Sequence, residues 1–138
     1  MKVHYQLDEP QLRELHALYA GEWWSKGRSL EDTRACVERS QVNIALVNPK
    51  GGLVAYARVL TDYVFKALIF DVIVAKPCRG EGLGDRLMFL VRNHPELQQV
   101  RHFELYCRPE NFPFYARHGY TTEVGETQLM RLEVRRNH

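Results

Sequence analysis

The run Ala67-Leu68-Ile69-Phe70-Asp71-Val72-Ile73-Val74 constrains this chain most: it is apolar on both faces apart from Asp71 and leads directly into a glycine-rich turn. A strand without a polar face is a central strand, covered on both sides. The turn is Pro77-Cys78-Arg79-Gly80-Glu81-Gly82-Leu83-Gly84, and a helical pattern follows to about Asn93, with Leu83, Leu87, Leu90 and Val91 as its buried stripe. His94-Pro95 stops that helix, and Val100 to Tyr106 reads as another strand. Strand, loop, helix and strand in this order imply a parallel pair joined by a right-handed crossover.

The flanking sequence supplies antiparallel strands and more helices. Val3, Tyr5 and Leu7 alternate as a short strand over residues 3–7. Asp8 caps a helix with Pro10 in its first turn and Leu12, Leu15, His16 and Tyr19 on one face. Gly21 and Gly27 bracket a loop holding Trp23, Trp24 and Lys26; Ser29-Leu30-Glu31-Asp32 then opens a helix ending near Ser40. Val42 to Asn48 and Leu53 to Leu60 form a hairpin across Pro49-Lys50-Gly51-Gly52, and a turn at Thr61-Asp62-Tyr63 leads to the central strand. A short helix from Phe112 to His118 ends at Gly119, and Thr121–Glu123 with Thr127–Glu133 is expected to close as a last hairpin. The fold class is α/β: a mixed, mostly antiparallel sheet with a central parallel strand pair, flanked by helices. Its 138 residues make one domain, 1–138.

Composition excludes several function classes. With 45% hydrophobic and 26% charged residues the chain is an ordinary globular one. No apolar run reaches the roughly 18 residues of a membrane span, and the N-terminus has no apolar signal region. The net charge of +2 is too balanced to argue for nucleic acid. An RNA-binding reading on Arg79, Arg86, Arg92 and Arg101 lacks the aromatic pattern of such domains. Cys36, Cys78 and Cys107 have neither metal-ligand spacing nor a disulfide framework, so a reducing cytoplasm is the simplest setting and no metal is expected.

The glycine turn has the chemistry of an anion site. Alternating glycines bring unhindered N–H groups toward one point, and the following helix N-terminus adds unpaired donors and partial positive charge. Arg79 adds a full charge with forked donors. No Gly-Lys-Ser/Thr ending is present, and Gly-x-Gly-x-Gly is not the dinucleotide spacing. The alternative is a glycine-capped turn with no ligand.

Val74 to Gly84 resembles the acetyl-CoA loop of the GNAT N-acetyltransferase superfamily, whose pattern Gln/Arg-x-x-Gly-x-Gly/Ala is met by Arg79, Gly82 and Gly84. Phe114-Tyr115-Ala116-Arg117-His118-Gly119-Tyr120 resembles the superfamily's later Tyr-x-x-x-Gly-Phe/Tyr motif. The stretch Trp23 to Asp32 is similar to a bacterial subgroup of undefined acceptor. The resemblance implies acetyl-CoA as cosubstrate. Main-chain groups of Val72, Ile73 and Val74 would pair with the pantetheine arm. N–H groups from Arg79, Gly80, Gly82, Leu83, Gly84 and Asp85 would hold the pyrophosphate, and Asn111 would touch the cofactor. It further implies direct transfer to a primary amine, a small molecule before a protein, and a homodimer; the rival is a non-catalytic acyl-CoA sensor.

Acyl transfer needs a neutral amine, a polarised carbonyl and a proton for the departing thiolate. The resemblance puts Tyr115 where the family keeps its acid, and a phenol of pKa ≈ 10 suits a thiolate; the alternative is an aromatic that only packs. Asp71 is the only charge in a buried strand, so it either serves as base or amine ligand or pairs with Arg58 or another strand residue. Asp62, Glu104, His102, His118 and Cys107 are weaker candidates. Trp23, Trp24, Tyr63 and Phe65 form either an aromatic wall of the acceptor groove, favouring an apolar or cationic amine, or a cap on the core.

Overall fold

In the computed structural model, which describes residues 1–136, helices begin where capping chemistry directs. Helix α1 (Glu9–Ala20) opens on Asp8, whose carboxylate accepts from the Gln11 N–H at 2.9 Å while the Gln11 side chain accepts from the Asp8 N–H at 3.0 Å. Helix α2 (Leu30–Arg39) opens on Ser29, whose hydroxyl accepts from the Asp32 N–H at 2.9 Å. Helix α3 (Leu83–Arg92) differs: its N-cap is Gly82, which has no side chain to make a cap hydrogen bond.

The described residues form two compact units, Met1–Tyr106 and residues 107–136. The first holds a five-stranded sheet in sequential order: β1 (Lys2–His4), β2 (Val42–Val47), β3 (Leu53–Thr61), β4 (Lys66–Val74) and β5 (His102–Glu104). All neighbours are antiparallel except β4 and β5, which run parallel as the crossover requires. The fold is therefore the mixed α/β class that the strand–loop–helix–strand unit implies. The first strand spans Lys2–His4 rather than residues 3–7, because the Asp8 N–H is already committed to its helix cap. β5 is also shorter than residues 100–106, since the Val100 N–H closes a turn onto the Leu97 carbonyl.

Side-chain alternation sorts the core. Leu12, Leu15 and Tyr19 of α1 and Val37 of α2 pack on Ala45, Leu53, Tyr56 and Ile73 of the sheet. Ile44, Leu46 and Ala57, also buried, alternate to the other side. Helix α3 packs on β2, β3 and β4 through Leu83, Leu87, Met88 and Val91, all buried. Met88, not Leu90, completes that stripe, with Leu90 only partly covered.

In the second unit, helix α4 (Phe112–Ala116) ends with Gly119 at φ +93°, and the Gly119 N–H bonds the Ala116 carbonyl at 3.0 Å. The hairpin expected over Thr121–Glu123 and Thr127–Glu133 does not form: residues 121–136 contain no strand. A two-stranded ribbon alone is marginal, one arm here has only three residues, and the adjacent Leu129 and Met130 break the alternation. Among the described residues no helix is long and apolar enough to cross a membrane.

Leu15, fully buried between α1 and the sheet, should be a strong anchor. Leu15→Ala is expected to lower the free energy of unfolding by about 2–5 kcal/mol, read by urea denaturation; a change below about 1 kcal/mol would show that the site collapses around the gap.

Candidate active site

The site begins with a defect in β4. Tyr56 of β3 pairs with Ile73 and Arg58 pairs with Phe70, so two steps on β3 face three on β4. The extra residue makes a β-bulge, and Asp71 within it takes φ +58°. A non-glycine residue in this left-handed region costs about 1–3 kcal/mol and persists only where its surroundings hold it.

Three side chains hold it. Asp71 Oδ2 accepts from Arg58 Nε at 2.7 Å, from Arg28 Nη1 at 2.8 Å and from the Tyr19 hydroxyl at 3.1 Å. The Asp71 side chain is only 8% exposed. Burial alone would push its carboxyl up, but the hydrogen bonds from Arg28 and Arg58, and then their charges, outweigh that and hold it below the ordinary carboxylate range. Burial, reinforced by the Asp71 charge, pushes the Tyr19 phenol far up, and burial does the same to Tyr56. Of the two roles open to Asp71, the structure contains the ion pair with Arg58. A carboxylate gripped by two guanidiniums is a weak proton acceptor, which argues against its use as a direct base.

The bulge stands on a strand with one free edge. β5 pairs β4 only through Lys66↔His102, Ala67↔Phe103 and Leu68↔Glu104. From Ile69 to Val74 no strand among the described residues pairs that side, while β3 satisfies the other side as far as Ala55↔Val74. Val72 and Val74 thus carry main-chain groups toward an open edge, whereas the register turns those of Ile73 toward Tyr56 of β3. The loop after β4 contains Gly80 at φ +83° and Gly82 at φ +81°, and a Cβ at either would meet nothing within 4 Å. Arg79, Gly80, Gly82, Leu83, Gly84 and Asp85 therefore form an uncapped helix entrance with open space before it. An extended arm along the edge and a diphosphate at the helix entrance both fit these residues. Arg79 itself bonds the Val74 carbonyl through Nε at 3.1 Å and pairs with Glu22 of the α1–α2 loop. Asn111 lies in the second unit, exposed, with its N–H on the Arg108 carbonyl at 2.9 Å.

The aromatic candidates divide. Trp24 meets the Tyr19 ring edge-on at 5.9 Å, and the Arg28 guanidinium lies 4.5 Å from the Tyr19 centroid and 5.8 Å from that of Trp24. Trp23 shares this loop and is exposed. Tyr63 and Phe65 occupy the β3–β4 turn, at the opposite end of β4 from the free edge. Phe65 to Ile73 is about 25 Å of strand, so these two do not join the Trp24 wall; Arg101 covers the Phe65 ring at 5.5 Å instead.

The weaker candidates have structural partners. Asp62 accepts from the Val64, Phe65 and Lys66 N–H groups, and these bonds hold its carboxyl low. Glu104 and His102 both meet Lys66, at 3.0 and 3.1 Å. Burial and the nearby Glu110 raise the Cys107 thiol, which keeps it protonated and a poor nucleophile. Tyr115 packs against Phe114 (4.9 Å) and Tyr120 (6.1 Å), and burial, with the Cys107 charge, pushes its phenol up to about 12. The arginines of the RNA reading are engaged within the chain: Arg86 donates to the Met1 carbonyl and Arg92 covers Phe103. Arg28 and Tyr19 escaped the sequence reading of the site. The lone acid in an apolar strand signalled that partners must exist, but only Arg58, on the neighbouring strand, was within reach of that argument.

Residues 20–131 match the acetyltransferase (GNAT) domain, and the chain belongs to that family. A solved structure from Xanthomonas campestris pv. campestris, described as belonging to the GNAT family, superposes with a TM-score of 0.81 at 30% identity, covering 97% of this chain and 94% of that one. The uncharacterized N-acetyltransferase ycf52 of Pyropia yezoensis is 31% identical over 79% of this chain and 64% of its own length. Serotonin N-acetyltransferase 2, chloroplastic, of Oryza sativa subsp. japonica is 31% identical over 70% of this chain and 50% of its own. The chain thus spans between half and about two-thirds of the length of these curated relatives.

Because one carboxylate compensates two guanidiniums, Asp71→Asn should destabilise the fold by about 3–5 kcal/mol in urea denaturation at pH 7. Asp71 is lowered in the folded state, so its contribution is present above the unfolded value of about 3.9 and is lost as pH falls below it. The wild-type advantage over the variant should accordingly shrink below about pH 4; an advantage that persists there would contradict the ion-pair account.

Proposed function

We propose that this chain is an acetyl-CoA-dependent N-acetyltransferase that passes an acetyl group directly to a primary amine, a small molecule in preference to a protein. The observation that carries the reading is the free outer edge of β4 running from the bulge into an uncapped, glycine-lined helix entrance. Family membership supports the same cosubstrate. Acetyl-CoA, when bound, supplies the acetyl group as an activated thioester.

The residues divide the work by position. The Val72–Val74 edge offers main-chain groups to an extended arm, and the outward N–H of Val74 is available to polarise a carbonyl. N–H groups from Arg79 to Asp85 hold negative charge at the start of α3. Asp71 fixes the bulge and orients Arg28 and Arg58, so a water chain, not this carboxylate, relieves the amine of its proton. Tyr115 is the acid in this reading on the strength of the family motif. Its raised phenol stays protonated through neutral pH, as a donor to a thiolate must. A homodimer and a cytoplasmic site belong to the same reading and rest on the resemblance and on the free cysteines at 36, 78 and 107.

Gly82→Glu places a side chain and a negative charge where the loop is left-handed and open. Calorimetric titration with coenzyme A should show affinity reduced by at least about tenfold, since even one lost charge-assisted bond is worth that much. Unchanged affinity would remove the basis of the proposal. In an amine-panel assay following free thiol, Tyr115→Phe should lower kcat by about 10²–10⁴-fold with coenzyme A binding retained. Unchanged turnover would make Tyr115 a packing residue. Coenzyme A binding by the wild type without acetylation of any amine would favour the sensor.

A further inference from the structure

The cluster at the bulge carries a surplus of positive charge. Arg28 and Arg58 are both mostly covered, their side chains 22% and 13% exposed, and among the described residues the one carboxylate paired with either is Asp71. The other groups around them are the Tyr19 and Tyr56 phenols, the latter bonded to Asn43, the Ser40 hydroxyl, which accepts from Arg58 Nη1 at 3.4 Å, and the Cys36 thiol of α2. Two guanidiniums against one carboxylate leave one charge without a second carboxylate, and since no buried side-chain donor among the described residues lacks a partner, the unused N–H groups reach solvent. A partly desolvated cation of this kind is costly unless an anion completes it.

The donors are also left pointing at more than Asp71. A guanidinium has five N–H groups in a fixed fork suited to carboxylate and phosphate oxygens. Arg28 donates one to Asp71 and stacks on Tyr19; Arg58 donates Nε to Asp71 and Nη1 to Ser40. Stacking holds the Arg28 plane in place, so its remaining donors need little further ordering to bind. The same stacking occupies the Tyr19 and Trp24 faces that would otherwise attract a cationic amine.

We infer that the acceptor is a primary amine carrying an oxyanion, a carboxylate or a phosphate monoester, on the same molecule, and that Arg28 and Arg58 bind that group beside the bulge. The inference rests on the acetyltransferase reading and narrows its acceptor. It replaces the expectation of an apolar or cationic amine: the aromatic wall serves the arginine, not the substrate.

The test uses matched amines in the thiol-release assay: 3-aminopropanoate against 3-aminopropanamide, 2-aminoethyl phosphate against 2-aminoethanol, with phenethylamine as an apolar cation. The intact chain should prefer the anionic member of at least one pair by about tenfold or more in kcat/KM; which pair responds distinguishes carboxylate from phosphate. Arg28→Gln should reduce that preference by about 10–100-fold, mainly through KM. Melting temperature and coenzyme A titration of the variant confirm that it folds, and the wild-type pairs alone decide the matter if it does not. Acetylation with no preference for the anionic member, or a preference that Arg28→Gln leaves intact, would overturn this inference and spare the acetyltransferase reading. Acetylation of no amine while coenzyme A still binds would overturn both.

Discussion

One extra residue in β4 organises the first unit. With Tyr56 facing Ile73 and Arg58 facing Phe70, the strand must absorb an additional peptide, and Asp71 takes up the strain at φ +58°. That conformation is unfavourable for a side chain with a Cβ, although aspartate tolerates it better than most. It is held because its carboxylate gathers donors from α1, from the α1–α2 loop and from β3 at once. The bond network ties the loop carrying Trp24 to the strand carrying the free edge. Without the bulge, Asp71 would follow the regular alternation and face away from at least some of these partners.

The electrostatics follow from that geometry. A buried carboxylate beside one guanidinium would be a balanced pair, of uncertain net value to stability. Here the second guanidinium keeps Asp71 ionised and makes the cluster a net cation. Both neighbouring phenols are pushed upward by burial, so they remain neutral donors across the accessible pH range and do not dilute the charge. Arg79, by contrast, is half exposed and pairs with Glu22. An incoming diphosphate would therefore have to compete with that carboxylate for the Arg79 side chain, and with the Lys76 carbonyl, at 3.3 Å, for the Arg79 N–H.

Much of this was legible in the sequence, for stated reasons. Period and punctuation mark α1, α2, the β2–β3 hairpin, β4 and α3, because Asp8, Ser29, Pro49 to Gly52 and the glycine loop act locally. The parallel pair follows from connection length. What was not legible depends on contacts between distant segments. Arg28 sits in a loop with no periodicity, and nothing near it in sequence points to Asp71, so its role becomes visible only when the loop is seen against the strand. Tyr63 and Phe65 show the opposite limit: their place on a connecting loop is plain in the sequence, but their separation from Trp24 along β4 is visible only from the strand's length. The last hairpin was read from β-prone residues, yet residues 121–136 show none of the backbone pairing that a strand needs.

The bulge also explains why a free edge and a charged anchor occur together. In a regular strand, Phe70 and Ile73 would face opposite sides of the sheet; the added residue lets both pair across to the face of Arg58 and Tyr56. Phe70 then lies under the Arg58 guanidinium at 5.1 Å and meets Tyr106 edge-on at 5.7 Å. Bulges bend the strand that contains them and strengthen its twist. Here the strand beyond the bend runs from Val72 to Val74 with no strand among the described residues pairing its outer side. The same residue that turns main-chain groups toward an open edge thus turns a carboxylate toward two arginines, and the arginines set what kind of molecule can approach that edge from the α1–α2 side.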